Sequence, residues 1–234
     1  MSLAPHLQPS AIVGESPRSV KPKKDPAIEL GWPGFCPRKP RLVLPIFDDS
    51  GSVSLPGGRD PVGNRYEEAQ LAFDALQEWC TCGKCLGGVL HFDTPRGDVA
   101  PGKLRSPTFQ QHLARGLSVP RFAAGSSVLG PSLTKAEAIA ASFSKHEVRL
   151  VVLTDWQLFD TDNVLNRLRS FPGAVLAIGL STNPPVAADD DIVGLRVGHD
   201  DPPGAVARAL FGELTVGRRG RGFIGKTAAE EATA

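Results

Sequence analysis

A chain of 234 residues, 41% hydrophobic and 22% charged, has room for one large domain with extra segments or for two small ones. Its net charge of +1 exerts no global pull toward nucleic acid or an anionic membrane, and no apolar run reaches the length of a membrane span. The start, Met1 to Pro9, lacks the apolar core of a secretory signal, and four cysteines, three of them bunched, do not make a secreted disulfide framework, so a cytoplasmic protein is expected.

Residues 1–39 form a Pro- and Lys-rich arm with a short basic run, Lys21-Pro22-Lys23-Lys24. Leu30, Trp32 and Phe35 are placed to pin its end to a core. Leu42 to Phe47 reads as a buried strand, with Pro45 calling for a bulge or a shift because it lacks an N–H. After a Gly/Pro-rich loop at 55–63, Asn64-x-x-Glu67 resembles a capping box for a helix with Ala69, Phe73 and Leu76 on its apolar side. Leu86 to Phe92 is a second strand and Val99 to Leu104 a weak third. Ser106-Pro107 opens a helix carrying Phe109 and Leu113. A small-residue loop, Phe122 to Gly130, leads to a helix with Leu133, Ala136, Ile139, Ala140 and Phe143 on one face. Glu147 to Thr154 is a nearly continuous apolar strand, as in a parallel sheet covered on both sides. A helix at 162–170, strands at 174–180 and 192–197, an Asp189-Asp190-Asp191 loop between those strands, and a last helix with Val206, Leu210 and Leu214 complete a folded region at 40–216. Residues 217–234 read as a basic, flexible tail. Alternation of this kind predicts an α/β fold with a mostly parallel central sheet and helices on both faces.

Chemistry concentrates where strands end. The first strand runs into Asp48-x-Ser50-x-Ser52, whose alternate side chains can face one way. One carboxylate and two hydroxyls suit a hard cation such as Mg2+ or Mn2+, and they equally suit a hydrogen-bonded Ser/Gly turn. Gly125-Ser126-Ser127 and Thr154-Asp155 offer more oxygen ligands where the same edge of a parallel sheet would lie. In this order the three segments resemble the metal-ion-dependent adhesion site of a von Willebrand factor A domain, over about residues 40–216. The resemblance implies a three-layer, Rossmann-like fold and a cation held by Asp48, Ser50, Ser52, Ser126 and Asp155. It also implies a protein partner whose exposed Asp or Glu completes the site, in an intracellular assembly such as one built on an AAA+ ATPase. Two positions depart from the family pattern: Ser126 replaces the usual Thr, and Trp156 follows Asp155 where Gly is frequent. Trp156 and the 55–63 loop are expected to contribute to a partner-binding face.

Cys36, Cys80, Cys82 and Cys85 fall at the opposite sheet edge of a strand–helix–strand unit, where four thiolates would bind a structural Zn2+ or remain free thiols. The spacing Cys-x-Cys-x-x-Cys is irregular for a zinc motif. Arg96-Gly97-Asp98 reads as a plain turn. The Arg-Gly tail reads as solvated, so no nucleic-acid partner is expected. The competing class is a Mg-dependent phosphatase of haloacid-dehalogenase type, with Asp48 as nucleophile and Lys145 as its lysine, but its second Asp is replaced here by Ser50. A metal-independent interaction module is the third alternative.

Overall fold

The computed structural model describes residues 28–54, 57–60, 65–80, 82–92, 97–118, 126–186, 192–198, 200–220 and 222–223. The Lys21–Lys24 run, the Asn64 cap, Phe122 to Gly125, the Asp189–Asp191 loop and the tail beyond residue 223 lie outside them. The elements are β1 (Gly31–Trp32), β2 (Arg41–Phe47), a one-turn α1 (Gly51–Ser54), α2 (Arg65–Trp79), β3 (Leu86–His91), β4 (Val99–Lys103), α3 (Pro107–Gly116), α4 (Gly130–Ser142), β5 (Glu147–Thr154), α5 (Thr161–Arg169), β6 (Ala174–Leu180), β7 (Ile192–Val197), α6 (Ala205–Thr215) and β8 (Gly222–Phe223).

A six-stranded sheet in the order β4-β3-β2-β5-β6-β7 carries the fold. All neighbours pair in parallel except β4, which is an antiparallel edge. An edge strand needs only one ladder, which is why Pro101 and Gly102 are tolerated in it. Every residue of β2 is buried, because helices cover both sheet faces. Val43 and Phe47 face one side, where they meet Phe73 and Leu76 of α2 and Leu210 and Phe211 of α6. Leu42, Leu44 and Ile46 face the other, against Leu133 and Ala136 of α4 and Val164 and Leu168 of α5. Pro45 neither bulges nor shifts the strand out of line with β5: that register is continuous from Arg41 to Phe47. The ladder to β3 instead lapses at Leu44 and Pro45, which accommodates the missing donor.

The flanking segments are more tightly built in than their composition suggests. Leu30 is buried in the core and Trp32 packs edge-on to Trp79, with ring centroids 4.7 Å apart. Phe35 is exposed. The first residues of the expected flexible tail return to the arm: β8 pairs antiparallel with β1, and Phe35 N–H donates to the Arg219 carbonyl at 2.9 Å. Arg218, which looked solvated in sequence, is 5% exposed.

Candidate functional site

Sheet order reverses between β2 and β5, and open parallel sheets bind ligands beyond the carboxyl ends of strands at such a point. The Asp48 N–H donates to the Leu153 carbonyl at 3.0 Å, so the chain leaves both strands side by side. Asp48 follows the last residue of β2 and Asp155 the last residue of β5. Asp48 is 0% exposed and Asp155 2% exposed.

The first turn after β2 folds around its own acid. The Ser50 N–H donates to Asp48 Oδ1 at 2.8 Å, and the Ser50 and Ser52 hydroxyl oxygens meet at 3.0 Å. Thr154 Oγ1 donates to Asp48 Oδ2 at 2.5 Å while accepting from the Trp156 N–H at 3.1 Å. Asp155 Oδ1 accepts from the Gln157 N–H at 3.1 Å, but Asp155 Oδ2 is buried without a hydrogen-bond partner. Its nearest cationic neighbour is Arg59 Nε at 3.9 Å. Burial pushes the Asp48 carboxyl up, its bonds to Ser50 and Thr154 pull the other way, and the negative field of Asp155 adds to the rise. Two buried acids, an orphaned carboxylate oxygen and a converging pair of hydroxyls form a donor set that fits a hard divalent cation.

Beneath this lies a second acid that the sequence reading passed over. Strand alternation sends Asp49 away from Asp48, into the interior. It accepts a short hydrogen bond from the Tyr66 hydroxyl and bonds His91 Nδ1 at 2.7 Å. His91 Nε2 in turn meets the Gly116 carbonyl at 2.8 Å, so each ring nitrogen faces an acceptor oxygen. Arg65 Nη2 donates to the Asp48 carbonyl at 2.9 Å and to Ser54 Oγ at 3.0 Å, while its Nη1 meets Asp60 at 2.8 Å. Arg65 thereby ties α2 to the loop that carries Asp48, Ser50 and Ser52. Burial alone would raise the Asp49 carboxyl, but His91, Tyr66 and Arg65 hold it below the ordinary range. Burial pushes the Tyr66 phenol up, keeping it a donor. The signal available in the sequence was a polar residue at the end of each of two buried strands, since Phe47 pairs with His91 in register.

Asp48, Ser50, Ser52 and Asp155 are thus brought to one place. Ser126 is exposed at the head of the loop entering α4, which the bond from the Phe159 N–H to the Ser127 carbonyl at 2.8 Å ties to the segment after β5. Trp156 differs from expectation: it is 8% exposed and packs into the core on the α4/α5 side, so its indole is no part of an open face. Its φ of +58° explains why glycine is frequent at this position in the family it resembles. The strain of a bulky residue there is about 1–2 kcal/mol. Trp156→Gly is therefore expected to be less destabilising than Trp156→Ala by about 1 kcal/mol, inverting the usual order, as read by paired urea denaturation curves. Equal costs would show that the turn relaxes without glycine.

Other sequence candidates resolve differently. Lys145 sits exposed in the turn before β5, at the far end of that strand from Asp155, so a phosphatase arrangement with Asp48 is not assembled. Asp98 is engaged internally by the His91 N–H and by Lys135 Nζ, at 2.9 and 2.7 Å, and is not a free adhesion tripeptide; Arg96 lies outside the described residues. The four cysteines gather at the opposite edge of the sheet, before β2 and β3 and at the end of α2.

No family model and no curated protein matches the sequence. Solved structures do. The chain is similar to a von Willebrand factor type A protein from Catenulispora acidiphila, at 15% identity and a TM-score of 0.53, over 80% of this chain and 48% of that one. It is similar to the manganese-loaded TRAP protein of Plasmodium vivax, at 12% identity and a TM-score of 0.50, over 76% of this chain and 74% of that one. Over 52% of its length it also resembles the pilus adhesin SpaC of Lactobacillus rhamnosus GG, at 22% identity and a TM-score of 0.44, and it spans 16% of that chain. At these identities the likeness establishes the fold: a von Willebrand factor A-like α/β domain. Among the described residues no helix is long and apolar enough to cross a membrane.

Proposed function

We propose that this von Willebrand factor A-like domain is a metal-dependent protein-binding module, with Mg2+ or Mn2+ held by Asp48, Ser50, Ser52, Ser126 and Asp155. The observation that carries this reading is Asp155 Oδ2, buried without a hydrogen-bond partner beside a second buried carboxylate. When bound, the cation supplies a positive field that attracts a carboxylate from a partner, because its hydroxyl ligands are neutral. The similar TRAP protein is manganese-loaded, which supports the choice of a divalent ion.

The chain's own residues do the rest. Arg65 fixes the loop, Thr154 orients the Asp48 carboxylate, and Asp49 with His91 braces the strand ends from below. Arg59, 44% exposed by its side chain, and Phe159, 85% exposed, offer a cation and an apolar ring on the segments flanking the site. A partner surface presenting an Asp or Glu beside an apolar patch is the complement. His91 is spent on Asp49 and Gly116 in the interior, so the residues at this edge favour binding over acid–base catalysis. The setting we propose is a cytoplasmic multi-protein assembly, an AAA+ ATPase complex among the candidates. Four adjacent unpaired thiols suit a reducing compartment.

Calorimetric titration of Mn2+ and Mg2+ into protein freed of both tests the site. One saturable event per chain, lost in Asp155→Asn, is expected. No binding either alone or with acetate present as a carboxylate surrogate, or an unchanged titration in the variant, would refute the assignment.

A further inference from the structure

We propose that Cys36, Cys80, Cys82 and Cys85 hold one structural Zn2+ at the sheet edge opposite the adhesion-type site, with Arg218 as the buried counter-charge. The Sγ atoms of Cys36, Cys80 and Cys82 all lie within 4.8 Å of one another. Successive sulfurs are 3.7 Å apart from Cys36 to Cys80, 3.6 Å from Cys80 to Cys82 and 3.6 Å from Cys82 to Cys85. All four cysteines are free. Tetrahedral zinc with Zn–S bonds of about 2.3 Å separates its sulfurs by about 3.8 Å, close to these three spacings, and Cys85, which stands outside the compact trio, would draw in as the fourth ligand. A disulfide would need about 2.05 Å.

Several donors converge on the sulfurs. The Cys82 N–H donates to Cys36 Sγ at 3.3 Å, and the Lys84 N–H to Cys82 Sγ at 3.5 Å. Gly83 takes a φ of +63°, which lets the chain fold back between Cys82 and Cys85. Arg218 is the independent sign. It is 5% exposed, its Nη2 donates to Cys85 Sγ at 3.6 Å, and its Nε and Nη1 are buried without partners. No carboxylate pairs with it among the described residues. Arg41, 4% exposed, lies close by and is served by Glu147 and by the Leu214 and Val216 carbonyls. Neutral thiols would leave Arg218 an uncompensated buried cation, whereas zinc with four thiolates carries two net negative charges.

The site would join four separate pieces of chain. Cys36 comes from the arm, Cys80 and Cys82 from the end of α2, Cys85 from the start of β3, and Arg218 from the segment after α6. Its role is structural: it closes the arm and the returning C-terminal segment onto the domain and leaves the opposite edge to the partner-binding cation.

Protein expressed with zinc in the medium and purified under reducing conditions without chelator is expected to carry one zinc per chain by mass spectrometric metal analysis. Cobalt(II) reconstitution should give the intense visible bands of a tetrahedral thiolate site. In competition with a chromogenic chelator, Cys36→Ser should lose zinc affinity by about a hundredfold or more and Arg218→Gln by about tenfold. The metal content and cobalt spectrum of the unaltered protein decide the matter even where a cysteine variant does not fold. Zinc-free protein with four freely alkylated thiols, iron in place of zinc, or an octahedral cobalt spectrum would overturn the proposal. An Arg218→Gln affinity equal to that of the unaltered protein would remove Arg218 from it.

Discussion

Asp49→Ala should cost about 3–5 kcal/mol of folding stability, a large share of a typical domain's total, because it strips the acceptor from a buried cationic cluster. The carboxylate is 0% exposed and sits among the Tyr66 hydroxyl, His91 Nδ1 and, at 3.7 Å, Arg65 Nη2. His91 Nδ1 loses its acceptor in this variant, while Nε2 stays on the Gly116 carbonyl. The rings of Phe47, Tyr66 and His91 lie with centroids 5.1 to 6.0 Å apart, so water can replace the lost carboxylate only by opening that packing. Asp49→Asn keeps the volume and one acceptor and should cost distinctly less. The urea midpoint of each variant measures this. A loss under about 1 kcal/mol for the alanine variant would mean that the cluster relaxes to water and does not brace the site.

The contrast between Asp48 and Asp49 shows what a linear sequence conveys. The apolar runs at β2, β5 and β6 predict buried parallel strands, and their ends predict where ligands gather, because strand burial and strand termination are local properties. The placement of Asp48 and Asp155 at the ends of neighbouring strands was legible for that reason. Asp49 was not, although it is the next residue: its role depends on Tyr66 and His91, which arrive from α2 and β3, and pairing across distant segments leaves no periodic trace. Trp156 is expected on the partner-binding face because it adjoins Asp155, yet the left-handed turn after β5 swings the indole inward. Arg218 sits in an Arg-Gly stretch whose composition is that of a solvated tail, and only β8 pairing with β1 brings it under the arm. Composition reports how a segment behaves alone. It is silent where a partner segment supplies the burial.

Asp48→Asn should have opposite effects on stability with and without the divalent cation. In the folded, metal-free protein the Asp48 carboxyl is pushed up, first by burial and further by Asp155, so the charged form is the disfavoured one. The stability it contributes is fully present below its unfolded value of about 3.9 and is lost as pH rises through the higher folded value. Asp49, held low by His91, Tyr66 and Arg65 against its burial, behaves in the reverse sense: its contribution is present above about 3.9 and is lost as pH falls through the depressed folded value. In buffer free of Mg2+ and Mn2+ at neutral pH, Asp48→Asn removes a disfavoured charge, and its urea midpoint should lie above that of the unaltered protein. Metal reverses the order. At a concentration a hundredfold above its dissociation constant the cation stabilises the unaltered protein by about 2.7 kcal/mol, while the variant, with its affinity reduced by about a hundredfold or more, gains little. The same argument makes metal affinity rise with pH, since the cation competes with the proton on Asp48. Unfolding curves of the two proteins, each with and without Mn2+, give the crossing directly. Curves that keep the same order in both buffers would show that Asp48 serves the turn and not a cation.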